Sequence, residues 1–597
     1  MARSLSFKEW NVQQPQDPGS VEGVRDNLLA NRGIAKTAKE SFFNAEQEDL
    51  PDPRLMKNMD MATKMLDNAL RKKDSVLVVG DYDVDGVTST TIMVSAMKMI
   101  FQQVNQEDPN VEHEPKYSQK SADIGYFTPH RVHHGYGLTV DIVEYAKSRD
   151  YKVIAALDNG TAAVEAVEKA NEIGIQVIVF DHHLPHEKLP DCPVVNPKQE
   201  GCSYSFKDLC AGGICFQAAW SLLSRYGMSR EAFWKQFGSL AGLATVADMV
   251  PLHQENRVLA KRALLQPVDE IPWEGLKHLM AEGGITQDLT SDHFGFQIGP
   301  RINAAGRVPD LYAQDLQFNQ EAQTGYTNLA VELILNGKTV LASPINDLND
   351  ERKKMVTEAI WNDSTLQQVQ SQLRDGKKSV VISDKDWHEG VVGLIASHYM
   401  QLTGHPTFAF TRSGKYMKAS ARAPEGIHLK HVLDQASRHL YKYGGHEAAA
   451  GMSVPVEHFQ HFQSDLERSL RTFLDGKILT PQLLIDQTLK EKPFKSDIIG
   501  LSNEFEPCGM GNPRPVFATS EVGFARYESS GVDGKTLQGK IYHESESRHI
   551  PFLFFNGEIV GKHLEKCAKD TRFRIAYTLG RGFRGEKQIH LLDVMAQ

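Results

Sequence analysis

A buried-strand pattern that runs directly into three acidic side chains is the feature that most constrains this chain. The run VLVV at 76–79 is short, apolar and rich in β-branched residues, as expected for a strand buried on both faces of a parallel sheet. Gly80 ends the run, and we predict that a helix opens at Val87 after Gly86. The segment therefore predicts an α/β fold in which strands alternate with helices.

Three carboxylates lie between that strand and that helix, at Asp81, Asp83 and Asp85. Open α/β sheets bind ligands outside the carboxyl ends of their strands, where these side chains fall. Crowded carboxylates repel one another unless a cation neutralises them, and they are hard ligands that suit Mg²⁺ and Mn²⁺. The segment predicts a metal site, and for this segment alone an acidic turn after a strand is the alternative.

Three further apolar segments end in Asp or His in the first 250 residues, which favours one shared metal site over chance. Two of them, YKVIAALDNGT at 151–161 and IQVIVFDHHLP at 175–185, read as strands, and LATVADMVPL at 243–252 is a further apolar segment. A single His after a strand is more often a structural hydrogen-bonding group than a ligand. Together these segments supply enough oxygen and imidazole ligands for two ions, at Asp158, Asp181, His182, His183 and Asp248.

Composition is that of a globular protein of three or four domains, on the basis of 597 residues with 41% hydrophobic and 24% charged. The N-terminus shows no apolar export signal and no stretch long enough to span a membrane, so we expect a cytoplasmic protein. Six cysteines without CxxC pairs indicate neither a zinc ribbon nor a disulfide framework. The net charge of −10 argues mildly against nucleic-acid binding, whereas the segment 566–587 is strongly basic.

The chain divides by its periodicity into four kinds of region. Strands alternate with helical runs from about 74 to 250, which predicts a doubly wound parallel sheet, with a polar insertion at 102–121. Residues 325–360 predict a helical strut that Pro344 breaks, and KKSVVISDK at 377–385 opens a second α/β unit. Repeated short strands then predict a C-terminal all-β, OB-like barrel. The predicted regions are 1–70 as an N-terminal extension, 71–325, 326–372, 373–473 and 474–597.

Several motifs in this order resemble a known family. GDYDVDG, DNG, DHH and VADMVPL resemble the four phosphoesterase motifs of the DHH superfamily. WHEGVVG at 387–393 and GGHEAAAG at 444–451 resemble the companion DHHA1 domain, and GPRINAAGR at 299–307 is similar to RecJ-type nucleases. The resemblance runs from about residue 70 to the C-terminus. It implies a metal-dependent exonuclease that degrades single-stranded DNA from 5′ to 3′ into mononucleotides, in DNA recombination and repair.

The resemblance also implies roles for the metal ligands. Asp158 would bridge two ions, Mn²⁺ or Mg²⁺, Asp83 with Asp81 would complete one site, and the other would be completed by Asp85, His182 and Asp248. A mixed carboxylate and imidazole set favours Mn²⁺. His183 is then a phosphate contact or proton donor, and Asp181 orients the imidazoles.

Substrate-binding residues follow from the other motifs. TPHRVHHGYGL at 128–138 implies that Arg131 contacts a phosphate and Tyr136 packs on a base, although His134 stands where the family usually has Glu. Further candidates for holding the strand are Arg301, Asn303 and Arg307, with Arg pairs that brace the fold as the alternative. The DHHA1 motifs imply a pocket for the 5′-terminal phosphate at Ser420, Arg422 and His446, with Glu447 in place of the usual Ala. Arg581 and Arg584 of the barrel, with Phe583, would guide the strand.

Other functions share some of these motifs. A DHH-family oligoribonuclease or cyclic-dinucleotide phosphodiesterase would have the same metal motifs and GGHxAAAG, but is generally built from two lobes alone. A non-catalytic replication scaffold has no need to retain every ligand, and an inorganic pyrophosphatase has a different second domain. The resemblance implies a single-strand-binding protein and a RecQ-type helicase as partners, and we expect a monomer without membrane contact.

Overall fold

The structure of this protein is a computed structural model. It describes residues 8–47, 49–106, 123–130, 134–308, 328–475, 479, 481–490, 492–530, 536–546, 549–555, 557–568, 570–581 and 587–596. The strands, numbered along the chain, are β1 (Glu9–Gln14), β2 (Val76–Gly80), β3 (Ile124–Phe127), β4 (Val153–Leu157), β5 (Gln176–Phe180), β6 (Val194–Val195), β7 (Val380–Ser383), β8 (Thr407–Ser413), β9 (Tyr416–Arg422), β10 (Lys442–Gly445), β11 (Ala449–Pro455), β12 (Gln482–Thr488), β13 (Val516–Ser530), β14 (Thr536–His543), β15 (Ile550–Phe554), β16 (Phe573–Arg581) and β17 (Lys587–Ala596).

The α-helices are numbered in the same way. They are α1 (Val21–Asn31), α2 (Lys39–Phe43), α3 (Met59–Lys72), α4 (Val84–Gln106), α5 (Val140–Ser148), α6 (Val164–Glu172), α7 (Ala211–Leu223), α8 (Arg230–Ala247), α9 (Gln254–Leu265), α10 (Glu274–Glu282), α11 (Gly299–Arg307), α12 (Asn328–Leu335), α13 (Ala342–Ile360), α14 (Asp363–Arg374), α15 (Val392–Thr403), α16 (Leu429–Gln435), α17 (Phe459–Leu474), α18 (Ser496–Glu504) and α19 (Glu558–Leu564). A π-helix, His293–Ile298, precedes α11.

The chain forms two compact units. We call them the parallel-sheet unit, Glu40–Arg352 with Glu506–Pro513, and the mixed-sheet unit, Met1–Lys39, Lys353–Phe505 and Arg514–Gln597. Within the described residues, no helix is both long enough and apolar enough to cross a membrane.

The apolar runs of the parallel-sheet unit form a parallel sheet in the order β3-β2-β4-β5-β6. Its register places Gly80, Leu157 and Phe180 side by side, so the residues that follow β2, β4 and β5 emerge at one edge. One face of the sheet packs on α5 and α6, and α4 lies against the strands with α7 and α8 beside it. The predicted doubly wound parallel sheet is confirmed.

The helix after β2 begins earlier than the sequence pattern suggested, at Val84 rather than Val87. The Asp83 side chain is the physical reason, because its Oδ1 accepts hydrogen bonds from the backbone amides of Asp85 (3.0 Å) and Gly86 (3.2 Å). These amides are donors that a helix start leaves without an intrahelical partner. Asp85 therefore lies in the first turn of α4, not in a loop.

A buried arginine, Arg257, binds residues of the segment 506–513, which belongs to the parallel-sheet unit. The Arg257 guanidinium donates to the carbonyl oxygens of Phe42 (2.8 Å), Pro507 (3.3 Å) and Glu506 (3.0 Å), and it lies 3.6 Å from the centre of the Phe42 ring. A buried cation held by carbonyl dipoles thus joins three distant parts of the chain.

The mixed-sheet unit contains the second α/β sheet and a barrel. The sheet has the order β10-β11-β9-β8-β7 and packs one face on α16 and α17. The barrel runs β13-β14-β15-β17-β16 and closes by pairing β13 with β16, which confirms the predicted OB-like barrel. On its other side β12 pairs with β1, so the N-terminal strand adds to a sheet built mainly from the C-terminal region.

The connecting helices break elsewhere than at Pro344. The helix α12 ends at Leu335, and Pro344 lies in the first turn of α13. A proline is tolerated there because its missing N–H would have no intrahelical acceptor.

Candidate metal centre

Four segments of the parallel-sheet unit bring carboxylates and imidazoles together. Asp158 follows β4, Asp181 and the two histidines follow β5, and Asp248 is the C-terminal cap of α8. The His182 Nε2 atom lies 3.4 Å from Asp158 Oδ1, 3.6 Å from Asp248 Oδ2 and 3.8 Å from Asp85 Oδ2. The carboxyl edge of the sheet and the end of α8 therefore bring together the acids and histidines that the sequence pattern selected.

The ligand atoms form overlapping groups with Asp158 in two of them. One group is Asp81, Asp83 and Asp158, another is Asp158, His182 and His183, and a third is Asp85, His182 and Asp248. Within each group the atoms lie within 4.8 Å of one another, close enough to share an ion. The arrangement suits two neighbouring cations with Asp158 between them.

Buried oxygens without donors support a cation at this place. Asp158 Oδ1 and Asp248 Oδ2 are buried and accept no hydrogen bond from the part of the chain that the structure describes. Burial raises the pKa of Asp158 and of Asp248 well above the usual range, and the neighbouring carboxylates add to both shifts. Burial, with the charge of Asp83, raises the pKa of Asp85 to about 6. These carboxylates need a positive partner to be ionised together, so the donor set fits divalent metal ions.

The first turn of α7 fixes the Asp85 carboxylate. The amide of Ala211 donates to Oδ2 (2.7 Å) and the amide of Gly212 to Oδ1 (2.6 Å). A Cβ atom on Gly212 would lie 2.4 Å from the Ala244 Cβ, so α7 and α8 pack too closely for a side chain. Sequence reasoning missed this glycine, although Gly-Gly after Cys210 at a helix start was a usable signal.

Two asparagines brace the loops that carry the acids. Val84 donates its amide to Asn303 Oδ1 (3.0 Å), which ties the start of α4 to α11. Asn159 donates to the carbonyl oxygens of Val79 (3.1 Å) and Leu157 (2.8 Å), and it accepts from the Leu138 amide. Asp158 itself adopts a left-handed backbone with φ of 61°, an uncommon conformation that this bracing stabilises.

Asp181 organises the histidine pair. Its Oδ1 accepts from the backbone amides of His182 (2.8 Å) and His183 (3.2 Å) and lies 2.7 Å from His183 Nδ1, while Oδ2 accepts from the Thr161 amide (2.9 Å). Burial alone would raise the pKa of Asp181, but the hydrogen bond and charge of His183 hold it below its usual value. Burial would lower the pKa of His183, but the Asp181 carboxylate raises it.

Tyr136 covers the histidine that points outward. Its hydroxyl lies 3.1 Å from His183 Nε2 and donates to the Asp158 carbonyl oxygen at 3.2 Å. A protonated His183 can therefore donate from Nδ1 to Asp181 and from Nε2 to Tyr136. Tyr136 is 51% exposed, so its ring is accessible beside the acids.

The remaining residues predicted to bind substrate in the parallel-sheet unit differ in their surroundings. Arg301 donates to the Gln297 carbonyl oxygen (2.8 Å) and to Asn346 Oδ1 (3.0 Å), and Arg307 is the last residue of α11. Arg131 lies outside the described residues. The contacts of Arg301 and Asn303 are those of bracing groups, and a substrate contact by either remains a prediction.

The candidates of the mixed-sheet unit lie on its α/β sheet and on the barrel. Ser420 and Arg422 belong to β9, and Arg422 Nη1 donates to Ser420 Oγ and to the Ala421 carbonyl oxygen, both at 2.8 Å. His446 follows β10 and is exposed. Arg581 is the last residue of β16, and Arg584 and Phe583 lie outside the described residues.

Comparison with known proteins agrees with this architecture. Residues 75–245 match the DHH family, N-terminal domain, residues 376–472 the DHHA1 domain, and residues 485–592 the RecJ OB domain. The acidic edge of the parallel sheet thus lies in a DHH domain, which places the protein among the DHH-type proteins.

Similarity to curated proteins shows which DHH-type family the chain belongs to. The chain is 30% identical to the single-stranded-DNA-specific exonuclease RecJ of Salmonella typhimurium over 523 residues, which cover 84% of each chain. It is 28% identical to the RecJ of Haemophilus influenzae over 95% of each chain, and 30% identical to that of Bacillus subtilis over 90% of this chain and 65% of the relative. The chain belongs to the RecJ family, which confirms the resemblance found in the motifs.

Solved structures share the fold. A structure of RecJ in complex with Mn²⁺ from Thermus thermophilus matches 98% of this chain and 79% of its own, with a TM-score of 0.73 and 22% identity. A structure of exonuclease RecJ bound to manganese matches 72% of this chain and 98% of its own, with a TM-score of 0.56 and 26% identity.

Proposed function

We propose that this protein is a metal-dependent exonuclease that degrades single-stranded DNA from the 5′ end to mononucleotides, in DNA recombination and repair. The observation that carries the proposal is the position of Asp158, which is common to the group with Asp81 and Asp83 and to the group with the two histidines. Membership of the RecJ family supports the same substrate. A single-strand-binding protein and a RecQ-type helicase are the proposed partners of a monomeric, cytoplasmic enzyme.

Two divalent ions, Mn²⁺ or Mg²⁺, would be held here by the carboxylates and the imidazole of His182, and they supply charge neutralisation and activation of water for in-line displacement at phosphorus. Asp81, Asp83 and Asp158 would hold one ion. Asp158, Asp85, His182 and Asp248 would hold the other. Asp85 is pre-oriented for this task by the two amides of α7, which fix both of its oxygens.

His183 is the group proposed to handle a proton or a phosphate oxygen. Asp181 fixes its ring through Nδ1 and favours the imidazolium form, so Nε2 carries a proton beside Tyr136. An imidazolium at that position can donate a hydrogen bond to a non-bridging phosphate oxygen or pass its proton to the leaving oxygen. Tyr136, half exposed next to it, is proposed to pack on the base of the terminal nucleotide.

Ser420, Arg422 and His446 are proposed to bind the 5′-terminal phosphate. The Arg422 guanidinium is already oriented by Ser420 Oγ, and a fixed guanidinium suits an anion with several oxygens. The barrel is proposed to guide the strand through Arg581 and Arg584. Contacts to the backbone and stacking on the bases, without reading of base edges, would let the enzyme act on any sequence.

The test is the product pattern from one strand labelled at either end. With Mn²⁺ or Mg²⁺, a 5′-labelled strand should release its label at once as a mononucleotide, whereas a 3′-labelled strand should shorten progressively. Asp158→Asn protein should release neither label. Release from the 3′ end would contradict the proposed direction, and hydrolysis of dinucleotides without digestion of long strands would favour an oligoribonuclease.

A further inference from the structure

A stacked pair of tyrosines, one exposed and one half-buried, lies at one end of the sheet that carries Ser420 and Arg422. Tyr416 opens β9 and Arg422 ends it, so at about 3.3 Å per residue the two lie about 20 Å apart. We call the surface made by Tyr416, Tyr441, Lys415, Lys442 and Val456 the tyrosine end. It belongs to the mixed-sheet unit and contains none of the residues assigned above.

The geometry of the tyrosine end is that of an aromatic platform. The rings of Tyr416 and Tyr441 stack with centroids 4.6 Å apart and an interplanar angle of 28°. Tyr441 is 67% exposed, and Val456 beside the pair is also exposed. Burial in the core therefore does not account for Tyr441, because most of its surface faces solvent.

Positive charge surrounds the platform. The Lys415 ammonium lies 5.3 Å from the centre of the Tyr416 ring, and Lys442 is exposed in β10, next to Tyr441. Glu457, which follows Val456 in the chain, is an acid at the edge of the tyrosine end. Aromatic rings bordered by lysines are the recurring means of binding single strands without reading sequence, since every base can stack and every nucleotide carries a phosphate.

One face of β9 runs from this platform to Arg422. The helix α15 packs against β8 and β9 on that face, so its open part lies over Gly444 and Gly451. Along β9, Ala419 and Ala421 point into the core, so Lys418, Ser420 and Arg422 point to the other face. The register sets Gly451 and Gly444 beside Ser420, and it sets Ser453 and Lys442 beside Lys418. Paired residues share a face, so the exposed Gly444 and Gly451 lie on the same face as the cations.

Gly444 and Gly451 leave room for a bound strand. A Cβ atom on Gly444 would meet no atom within 4 Å, and one on Gly451 would meet only the Ala419 carbonyl oxygen at 3.9 Å. Lys418 is paired with Glu389 at 2.9 Å, and Arg422 and Lys442 are the further cations on this face. The open part of this face is therefore the strip of Gly444 and Gly451, with Lys442 exposed next to the tyrosine end.

We propose that the tyrosine end is a second binding site for single-stranded DNA, in which Tyr441 stacks on a base and Lys415 and Lys442 contact its flanking phosphates. The proposal rests on the proposed function, because it takes single-stranded DNA as the substrate. At 3.4 Å or more per nucleotide, a path of about 20 Å holds no more than about six nucleotides from Arg422 to Tyr416. Long strands engage the tyrosine end, and a three-nucleotide substrate held at Arg422 does not reach it.

The first experiment measures binding of a fluorescent 20-nucleotide oligothymidylate to the full-length protein without divalent metal, so that no hydrolysis occurs. Tyr441→Ala should weaken binding about tenfold, whereas Tyr441→Trp should bind as tightly as wild type because it keeps a stacking ring. Lys442→Glu should weaken binding and lower the salt dependence by about one counterion. Lys377→Glu, an exposed lysine before the opposite edge strand β7, is the matched control and should bind as wild type.

The second experiment needs no variant. Ultraviolet crosslinking of wild-type protein to a strand that contains 5-iodouracil, followed by peptide mapping, should place an adduct on Tyr441 or Tyr416. In a third measurement, Tyr441→Ala protein should hydrolyse a three-nucleotide substrate at the wild-type rate.

The outcomes separate this proposal from the proposed function. Wild-type binding by Tyr441→Ala together with crosslinks only outside the tyrosine end would overturn the second site and leave an active exonuclease intact. A crosslink on Tyr441 in a protein that hydrolyses no strand would support the second site and contradict the nuclease. Equal loss of binding in Lys377→Glu and Lys442→Glu would show a general charge effect and would also overturn the proposal.

Discussion

The Oδ1 atom of Asp85 accepts a hydrogen bond of 2.6 Å from the backbone amide of Gly212. The two residues lie 127 positions apart in the chain, and the bond joins the first turn of α4 to the first turn of α7. A helix N-terminus favours a negative charge, so this contact stabilises the ionised carboxylate that a metal ion requires. Gly212 therefore serves the metal centre although it can supply no ligand of its own.

We expect Gly212→Ala to lower nuclease activity by about 100-fold or more, because the added Cβ would lie 2.4 Å from the Ala244 Cβ and 3.0 Å from Asp85 Oδ1. Activity at saturating Mn²⁺ and the midpoint of a Mn²⁺ titration are the measurements. Gly295→Ala is the control, since its Cβ would meet only Val246 at an ordinary 3.7 Å. Equal activity of the two variants would contradict the orienting role of Gly212.

Asp158→Asn should abolish hydrolysis. It should also affect the melting temperature differently in the absence and in the presence of metal. Without metal, the variant should melt at the wild-type temperature or above, because it removes one of several buried carboxylates that repel one another. With Mn²⁺, wild-type protein should gain stability by ligand binding, and the variant should gain much less. Thermal melting in chelator and in Mn²⁺ measures both effects, with the exposed Asp150→Asn as control. A full Mn²⁺ shift in Asp158→Asn would contradict the shared-ligand assignment.

Arg422→Ala should erase most of the preference for a 5′-phosphate over a 5′-hydroxyl end. A charge-assisted hydrogen bond contributes about 1.5–3 kcal/mol, which corresponds to roughly 10- to 150-fold in relative rate. Ser420→Ala should reduce the preference less, because it removes only a group that orients the guanidinium. Rates on paired substrates that differ only at the 5′ end provide the measurement. An unchanged preference in Arg422→Ala would place the phosphate pocket elsewhere.

Glu255 should make stability depend on pH. It is buried and bonded to the Tyr204 hydroxyl at 2.5 Å, and burial raises the pKa of Glu255 from 4.5 to about 7. The folded state therefore holds this proton more tightly than the unfolded state. The stability that the protonated group contributes is fully present below pH 4.5, and about 3 kcal/mol of it is lost as pH rises through 7.

Glu255→Gln should remove that part of the pH dependence. The variant should gain stability relative to wild type between about pH 5 and about pH 8, as measured by urea unfolding at both values. Glu270→Gln, at an exposed glutamate, should follow the wild type at both. A constant difference between Glu255→Gln and wild type across this range would contradict the raised pKa.

Arg257→Lys should destabilise the parallel-sheet unit by about 2–4 kcal/mol, because a lysine cannot satisfy the three carbonyl oxygens of Phe42, Glu506 and Pro507 together. Buried polar groups would then lose their partners. The free energy of unfolding measures the loss. Arg71→Lys, on an exposed helical ion pair with Asp67, should change it by less than about 0.5 kcal/mol. Similar effects from both variants would contradict a special role for the buried site.

The sequence by itself determined the parallel sheet and the composition of the metal centre. The runs at 76–79, 153–157 and 177–180 are apolar, and each leads into Asp, so local pattern alone predicted both the strand and its acidic end. Because parallel strands end at one edge, those acids had to meet. The repeated short strands near the C-terminus likewise predicted the barrel.

Only the tertiary structure decided how those groups are held and which distant residues hold them. The contacts of Asp85 with Gly212, of Val84 with Asn303, and of Arg257 with Glu506 join positions more than 100 residues apart. The pairing of β1 with β12 and the stack of Tyr416 on Tyr441 arise in the same way. Hydrophobic periodicity reports which face of an element is buried, but it carries no information about the partner. A partner is selected by the packing of the whole chain, where shape and hydrogen bonding over long sequence separations decide the contact.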